Sequence, residues 1–242
     1  YQIKDVHNVH IFDLGDVALK NFPMSIIDTF SYNGEPIALF HVKYLYPVVN
    51  QFIIVEGLIS HSGQRKSGYY FQNPEIYKQF EPYMDKITYI TVDEIPPRPD
   101  DYIDPTNTHS WMNNQSYDAF WRENYQRHIA QGYLSNLYQI SSTTSNSSNP
   151  RVLVLVVDSD EIIDRNLLRT FRDISLYDTG TFHRKYRLGL HFFYYNFNWY
   201  SSSPWIMAYM ADITTYLSYK DLLSARVLSS PPESTTTTTT TT

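Results

Sequence analysis

The sequence predicts an α/β domain built on a mostly parallel sheet flanked by helices. Two stretches carry that expectation. The first is Arg151 to Ile163, in which six consecutive apolar residues, mostly β-branched, run directly into Asp158, Asp160 and Glu161. An unbroken apolar run of that length is the pattern of a strand buried on both faces, as in parallel sheets covered by helices. The second is the strand–helix–strand pattern between Ile26 and Val55. Parallel sheets bind ligands beyond the carboxyl ends of their strands, which is where Asp158 and Asp160 fall.

Composition bounds the function classes. The chain has 242 residues and a net charge of −6, which argues against a general nucleic-acid binder. Aromatic residues make up 16%, with 22 Tyr and 4 Trp, a supply of amphipathic rings that suits sugar binding and an ordinary core alike. There is no Cys, so no disulfide forms and the redox compartment is not indicated. No run of 18 apolar residues is present, so no segment of this sequence is expected to span a membrane. The chain begins at Tyr1 rather than Met, which leaves room for a removed signal or anchor.

Taken in order, residues 1–24 form a mixed N-terminal segment in which Val9 to Leu14 fits a short strand. His7 and His10 lie three apart without partner ligands and read as packed or solvated. Ile26 to Phe30 is the first core strand, followed by a turn over Ser31-Tyr32-Asn33-Gly34. Glu35-Pro36 opens a helix, with Pro at its first position. Ile37, Phe40, Tyr44, Leu45 and Val48 supply its apolar stripe. Phe52 to Val55 is the second buried strand, ending in Glu56. The polar segment Gly57 to Gly68, with Ser60, Ser62, Gly63, Arg65 and Lys66, reads either as a phosphate-contacting loop or as an exposed connection.

Ile87 to Val92 alternates and is the third strand. Asp93 to Gln115 is a long Pro-, Asp- and Asn-rich connection. Asn114-Gln115-Ser116 and Asn146-Ser147-Ser148 are glycosylation sequons that carry meaning only in a secretory protein. Ser116 to Ile140 predicts a long helix with Ser116 as its cap and an apolar stripe of Tyr117, Phe120, Trp121, Tyr125, Ile129 and Tyr133. Glu123 and Arg127 share a helix face and read as an i,i+4 pair worth a few tenths of a kcal/mol. Arg165 to Ile174 predicts a short helix, and Tyr186 to Tyr200 an aromatic strand. His183, Arg184, Lys185 and Arg187 form a basic cluster, suited to a diphosphate or to solvent. Residues 201–228 close the domain, and 229–242 is a Thr-rich tail expected to be disordered.

Asp158-Ser159-Asp160 is a DxD arrangement. Two carboxylates one residue apart suit a shared Mg2+ or Mn2+, which would in turn bridge phosphate oxygens. The same spacing also occurs as a plain polar loop after a strand, and both readings stay open at this point.

Five motifs in order resemble glycosyltransferase family 17, the β-1,4-mannosyl-glycoprotein 4-β-N-acetylglucosaminyltransferase-like proteins. They are Ile27 to Glu35, Phe52 to Glu56 with Ser62-Gly63, Trp121 to Arg127, Val157 to Ile162, and Tyr194 to Trp199. The resemblance implies a GT-A-like domain over 25–228 and metal-dependent, inverting transfer of GlcNAc from UDP-GlcNAc to a mannose of an N-glycan or glycoprotein. It implies Mn2+ (or Mg2+) held by Asp158 and Asp160, with Asp160 and Glu161 as catalytic residues. It places Glu56, Ser62, Gly63, Arg122, Gln126, Arg127, Asn198 and Trp199 near the nucleotide sugar. It implies a Golgi or other secretory setting, with membrane association only through an anchor outside this chain.

The family continues past its aromatic motif into a segment with Gly-Trp-His and His/Glu motifs, whereas this chain runs into Ser-Pro-Pro-Glu-Ser and poly-Thr. The domain is therefore expected to be C-terminally incomplete, and the alternative is a catalytically inactive nucleotide-sugar or glycan-binding domain. A metal-dependent phosphohydrolase built on the same Asp pair needs further His and Asp ligands, which are not present in motif form.

Overall fold

The computed structural model describes residues 9–13, 24–100, 114–142, 151–175, 185–190 and 207–219. Among the described residues, seven strands form one sheet in the order β1-β4-β3-β2-β5-β7-β6. They are β1 (Val9–Asp13), β2 (Ser25–Ser31), β3 (Gln51–Gly57), β4 (Ile87–Val92), β5 (Val152–Val156), β6 (Lys185–Arg187) and β7 (Tyr209–Asp212). The four central strands β4, β3, β2 and β5 are mutually parallel. Both flanks are antiparallel, with β1 on β4, and β7 and then β6 beyond β5. The result is a mixed, mostly parallel α/β sheet.

Helices cover both faces, which explains the apolar runs. One layer holds α1 (Ile37–Leu45), α2 (Pro74–Phe80), a 3-10 turn (Glu81–Lys86) and α4 (Arg165–Ser175). It packs Ala38, Val42, Leu45, Phe80 and Leu168 against Ile26, Phe30, Phe52, Ile54 and Leu155. The other layer holds α3 (Asn114–Ser142) and α5 (Ile213–Ser218). It packs Trp121, Tyr125, Ile129, Leu134 and Tyr216 against Ile27, Ile53, Val55, Val154 and Val156. Alternate residues of each strand thus serve opposite layers. Every residue of β5 is buried, so truncating Leu155 to Ala is expected to cost about 2–5 kcal/mol.

Several expectations are corrected. α1 buries Ala38, His41, Val42 and Leu45, whereas Ile37 is 37% and Phe40 52% exposed. Of the apolar residues at helical spacing, Leu45 and Val48 are in the core and Tyr44 packs against it, whereas Ile37 and Phe40 line a cleft. Pro36 is the N-cap of α1 rather than its first residue. α3 begins two residues before Ser116 and ends two after Ile140. Of the Tyr186–Tyr200 stretch, Tyr186 and Arg187 end β6 and Leu188 N still donates to Ala208 O at 3.0 Å, while β7 lies in the closing segment. Residues 191–206, including the aromatic motif with Asn198 and Trp199, lie outside the described residues, as does the tail. No helix among the described residues is long and apolar enough to cross a membrane.

Candidate functional site at the carboxyl edge of the sheet

β2, β3 and β5 end on one edge of the sheet because they are parallel. Their continuations carry Asn33-Gly34-Glu35, the 57–71 loop and the acidic turn. β5 is extended by Val157, whose N–H donates to Thr29 O at 3.4 Å, and the chain then turns sharply. Glu161 N–H donates to Asp158 O at 3.0 Å, closing a turn over Asp158-Ser159-Asp160-Glu161. Asp158 N–H donates in return to Glu161 Oε2 at 2.8 Å. Glu161 is 5% exposed, so its carboxylate serves the turn from within. Asp160 is exposed and Asp158 partly so, and both line an open cleft of about 1080 Å3.

α3 delivers a cation to this turn. Arg127 is buried beneath Asp158, and its Nη2 bonds both Asp158 Oδ1 and Glu123 Oε1, the latter at 2.7 Å. Its Nη1 also reaches Val157 O at 3.3 Å. Burial by itself would lower the Arg127 pKa, but the carboxylates of Asp158, Glu123 and Glu161 outweigh it and hold the guanidinium firmly charged. The expected i,i+4 pair of Glu123 and Arg127 is thus present, and it does more than brace the helix. Its Arg side chain is 3% exposed and joins α3 to the acidic turn.

A second buried pair supports the turn from the opposite layer. Asp28 on β2 and His41 on α1 are both 0% exposed, and His41 Nε2 lies 2.8 Å from Asp28 Oδ2. His41 Nδ1 lies 3.2 Å from Ser159 O, in the middle of the acidic turn. The sequence reading passed over both residues. The available signal was a carboxylate inside the apolar strand Ile26-Ile27-Asp28-Thr29-Phe30, which must find a buried partner.

The 57–71 segment is a pinned hairpin. Ser60 N donates to Gln64 O at 2.9 Å, Lys66 N donates to Leu58 O at 2.8 Å, and Ile59 pairs with Arg65. Glu56, 0% exposed, anchors its far end. Its Oε1 accepts from Lys66 Nζ at 3.0 Å and Tyr70 N at 2.7 Å, and its Oε2 from Phe71 N at 3.1 Å and Tyr89 Oη at 2.8 Å. Gln126 Oε1 accepts from Gly57 N at 3.1 Å, and Arg122 Nε donates to His61 O at 2.8 Å. Gly63 has φ +88°, and a Cβ there would meet the Arg122 guanidinium at 3.2 Å. Ser62 is exposed, with its Oγ 2.9 Å from Ser60 Oγ.

Glu56, Gln126 and Arg122 are therefore brought together with Ser62 and Gly63, and their contacts shape the loop. His61 joins them. Its Nε2 is buried without a hydrogen-bond partner, and burial lowers its pKa against the opposing pull of Glu123.

The far wall of the cleft is β6. Lys185 and Arg187 pair across β7 with Ala211 and Tyr209, so both share the α3 face of the sheet. Lys185 Nζ lies 4.8 Å over the Tyr209 ring and 5.6 Å from that of Tyr219. Burial and the neighbouring Arg187 lower its pKa to about 8. Arg187 Nη2 is buried without a hydrogen-bond partner. His183 and Arg184 lie outside the described residues. The apolar wall includes Ile37, Phe40, Leu167 and Phe171.

Among the described residues, no group of three or more His, Asp or Glu side chains is arranged to hold a metal ion alone. Mg2+ sites often take only one or two protein carboxylates and complete their shell with phosphate and water. Asp158 and Asp160 fit that donor set. Compared with protein-family models, curated proteins and solved structures, the chain matches none.

Proposed function

We propose that the chain is a GT-A-like glycosyltransferase that binds a nucleoside diphosphate sugar with a divalent cation at the carboxyl edge of β5. The observation that carries this reading is the tight, internally bonded turn that presents Asp158 and Asp160 to a cleft at the end of a buried parallel strand. The choice of UDP-GlcNAc as donor and an N-glycan mannose as acceptor rests on the family resemblance. So do the inverting, β-1,4 outcome and a secretory setting.

Asp158 and Asp160 are the residues that would hold Mn2+ or Mg2+. When bound, the cation neutralises charge on the departing diphosphate. Arg127 holds the Asp158 carboxylate in one orientation, so little reorganisation is required when a ligand arrives. Glu161 keeps the turn closed. Arg187, with a buried unpaired donor, offers a charge-assisted hydrogen bond to an anionic ligand. The aromatic and aliphatic wall at Phe40 and Ile37 gives apolar sugar or base surface something to cover.

Binding without turnover is the second reading. One observation favours it: Glu161, the carboxylate nearest the DxD pair in sequence, is buried and bonded to the Asp158 amide. The test incubates the purified chain with UDP-GlcNAc, Mn2+ and a biantennary N-glycan and follows UDP release, beside Asp158→Asn and Asp160→Asn. Metal-dependent release that both substitutions abolish supports the transferase. Metal-dependent UDP binding without release selects the second reading, and the lack of both removes this turn as a nucleotide-sugar site.

A further inference from the structure

We propose that His41 is a positioning residue for the metal-binding turn, acting through Ser159 and held in place by Asp28. The inference rests on the reading of Asp158 and Asp160 as metal ligands. Its basis is the short buried chain Asp28 Oδ2 to His41 Nε2 at 2.8 Å and His41 Nδ1 to Ser159 O at 3.2 Å.

The proton arrangement follows from the partners. A carbonyl oxygen only accepts, so Nδ1 must carry hydrogen. On the other side of the ring, Nε2 and Oδ2 share a proton at 2.8 Å. The other tautomer would turn the Nδ1 lone pair onto the Ser159 carbonyl and break the bridge. Asp28 holds the ring by its other nitrogen and so fixes the direction in which Nδ1 faces the turn.

Ser159 O belongs to the peptide that links Ser159 to Asp160. Fixing that carbonyl fixes the peptide plane, and with it ψ of Ser159 and φ of Asp160. Arg127 holds the first Asp from the α3 layer, and His41 holds the peptide before the second Asp from the α1 layer. The two carboxylates are thus spaced by contacts from opposite faces of the sheet. The energetics agree with such a role. Asp28 Oδ1 is buried without a hydrogen-bond partner, and a buried ionisable pair of this kind adds little stability over an apolar one. What it does supply is a directed donor to one carbonyl of the turn.

The experiment uses two substitutions that separate the ring nitrogens. An asparagine amide nitrogen falls near the place of Nδ1 and can still donate to Ser159 O. A glutamine amide reaches the place of Nε2 and Asp28 instead. Mn2+ affinity in the presence of UDP is measured by calorimetry on the wild type, His41→Asn and His41→Gln, well below their melting temperatures. Affinity should fall by about 10- to 100-fold in His41→Gln and by no more than about threefold in His41→Asn, as for partners that orient metal ligands. Equal affinity in all three, or equal loss in both variants, overturns the proposal. If the wild type itself binds no Mn2+, the metal reading fails, and amide hydrogen exchange over residues 159–161 decides the role of His41. Faster exchange there in His41→Gln alone supports the bridge, and unchanged exchange overturns it.

Discussion

Arg127 and Asp158 are joined through Nη2 and Oδ1 although they lie 31 residues apart, and the Arg side chain is 3% exposed against 34% for the Asp. One buried cation thus ties the middle of α3 to the turn after β5. Replacing Arg127 by Met should leave Asp158 and Glu123 without their shared partner. The expected cost is about 2–3 kcal/mol, since Asp158 retains some access to water. Urea denaturation of Arg127→Met beside Asp158→Asn checks this. The double variant should lose less than the sum of the two singles, because the residues share one contact.

Glu56 makes a comparable prediction for the neighbouring loop. Its two oxygens accept four hydrogen bonds. Glu56→Gln turns an amide NH2 toward those donors and should destabilise the fold by about 2–3 kcal/mol. Hydrogen exchange should rise over residues 57–71 and stay unchanged in β5.

Two glycines should respond with opposite sign. Gly63 has φ +88° and faces the Arg122 guanidinium, so Gly63→Ala should cost about 1–2 kcal/mol. Gly132 lies inside α3 with nothing within 4 Å of an added Cβ, so Gly132→Ala should stabilise by about 0.5–1 kcal/mol. Thermal melts of the two variants provide the comparison.

Lys185 sets a pH dependence. Its folded pKa is lowered from 10.5 to about 8, first by burial and then by Arg187. Between those values the unfolded chain binds more protons than the folded one, so stability rises with pH across that window. The contribution is full above about 10.5 and is lost as pH falls through about 8. Lys185→Met should flatten this part of the profile and be the more stable protein at pH 7. Denaturant midpoints at intervals from pH 7 to 10 measure both effects.

Much of the scaffold was legible because its signals are local. The apolar run at Val152 to Val156 needs both faces covered, and it became a central strand with the acidic turn at its carboxyl end. β2, β3, β4 and α3 were equally readable from runs of β-branched residues and from helical spacing. α1 was readable as a helix but not in its facing. An exposed aromatic that lines a cleft and a buried one that fills a core carry the same periodic signal, so the spacing did not distinguish Phe40 from Leu45.

The sequence by itself determined that this chain forms a parallel-centred α/β sheet and places paired carboxylates where such sheets bind ligands. Only the tertiary structure decided what surrounds them. Arg127 beneath Asp158, His41 behind Ser159 and the four donors around Glu56 are contacts between residues distant along the chain. Periodicity reports how one segment meets water or core. It carries nothing about which buried polar group meets which, and that pairing is settled by the desolvation cost each group must offset once the layers close.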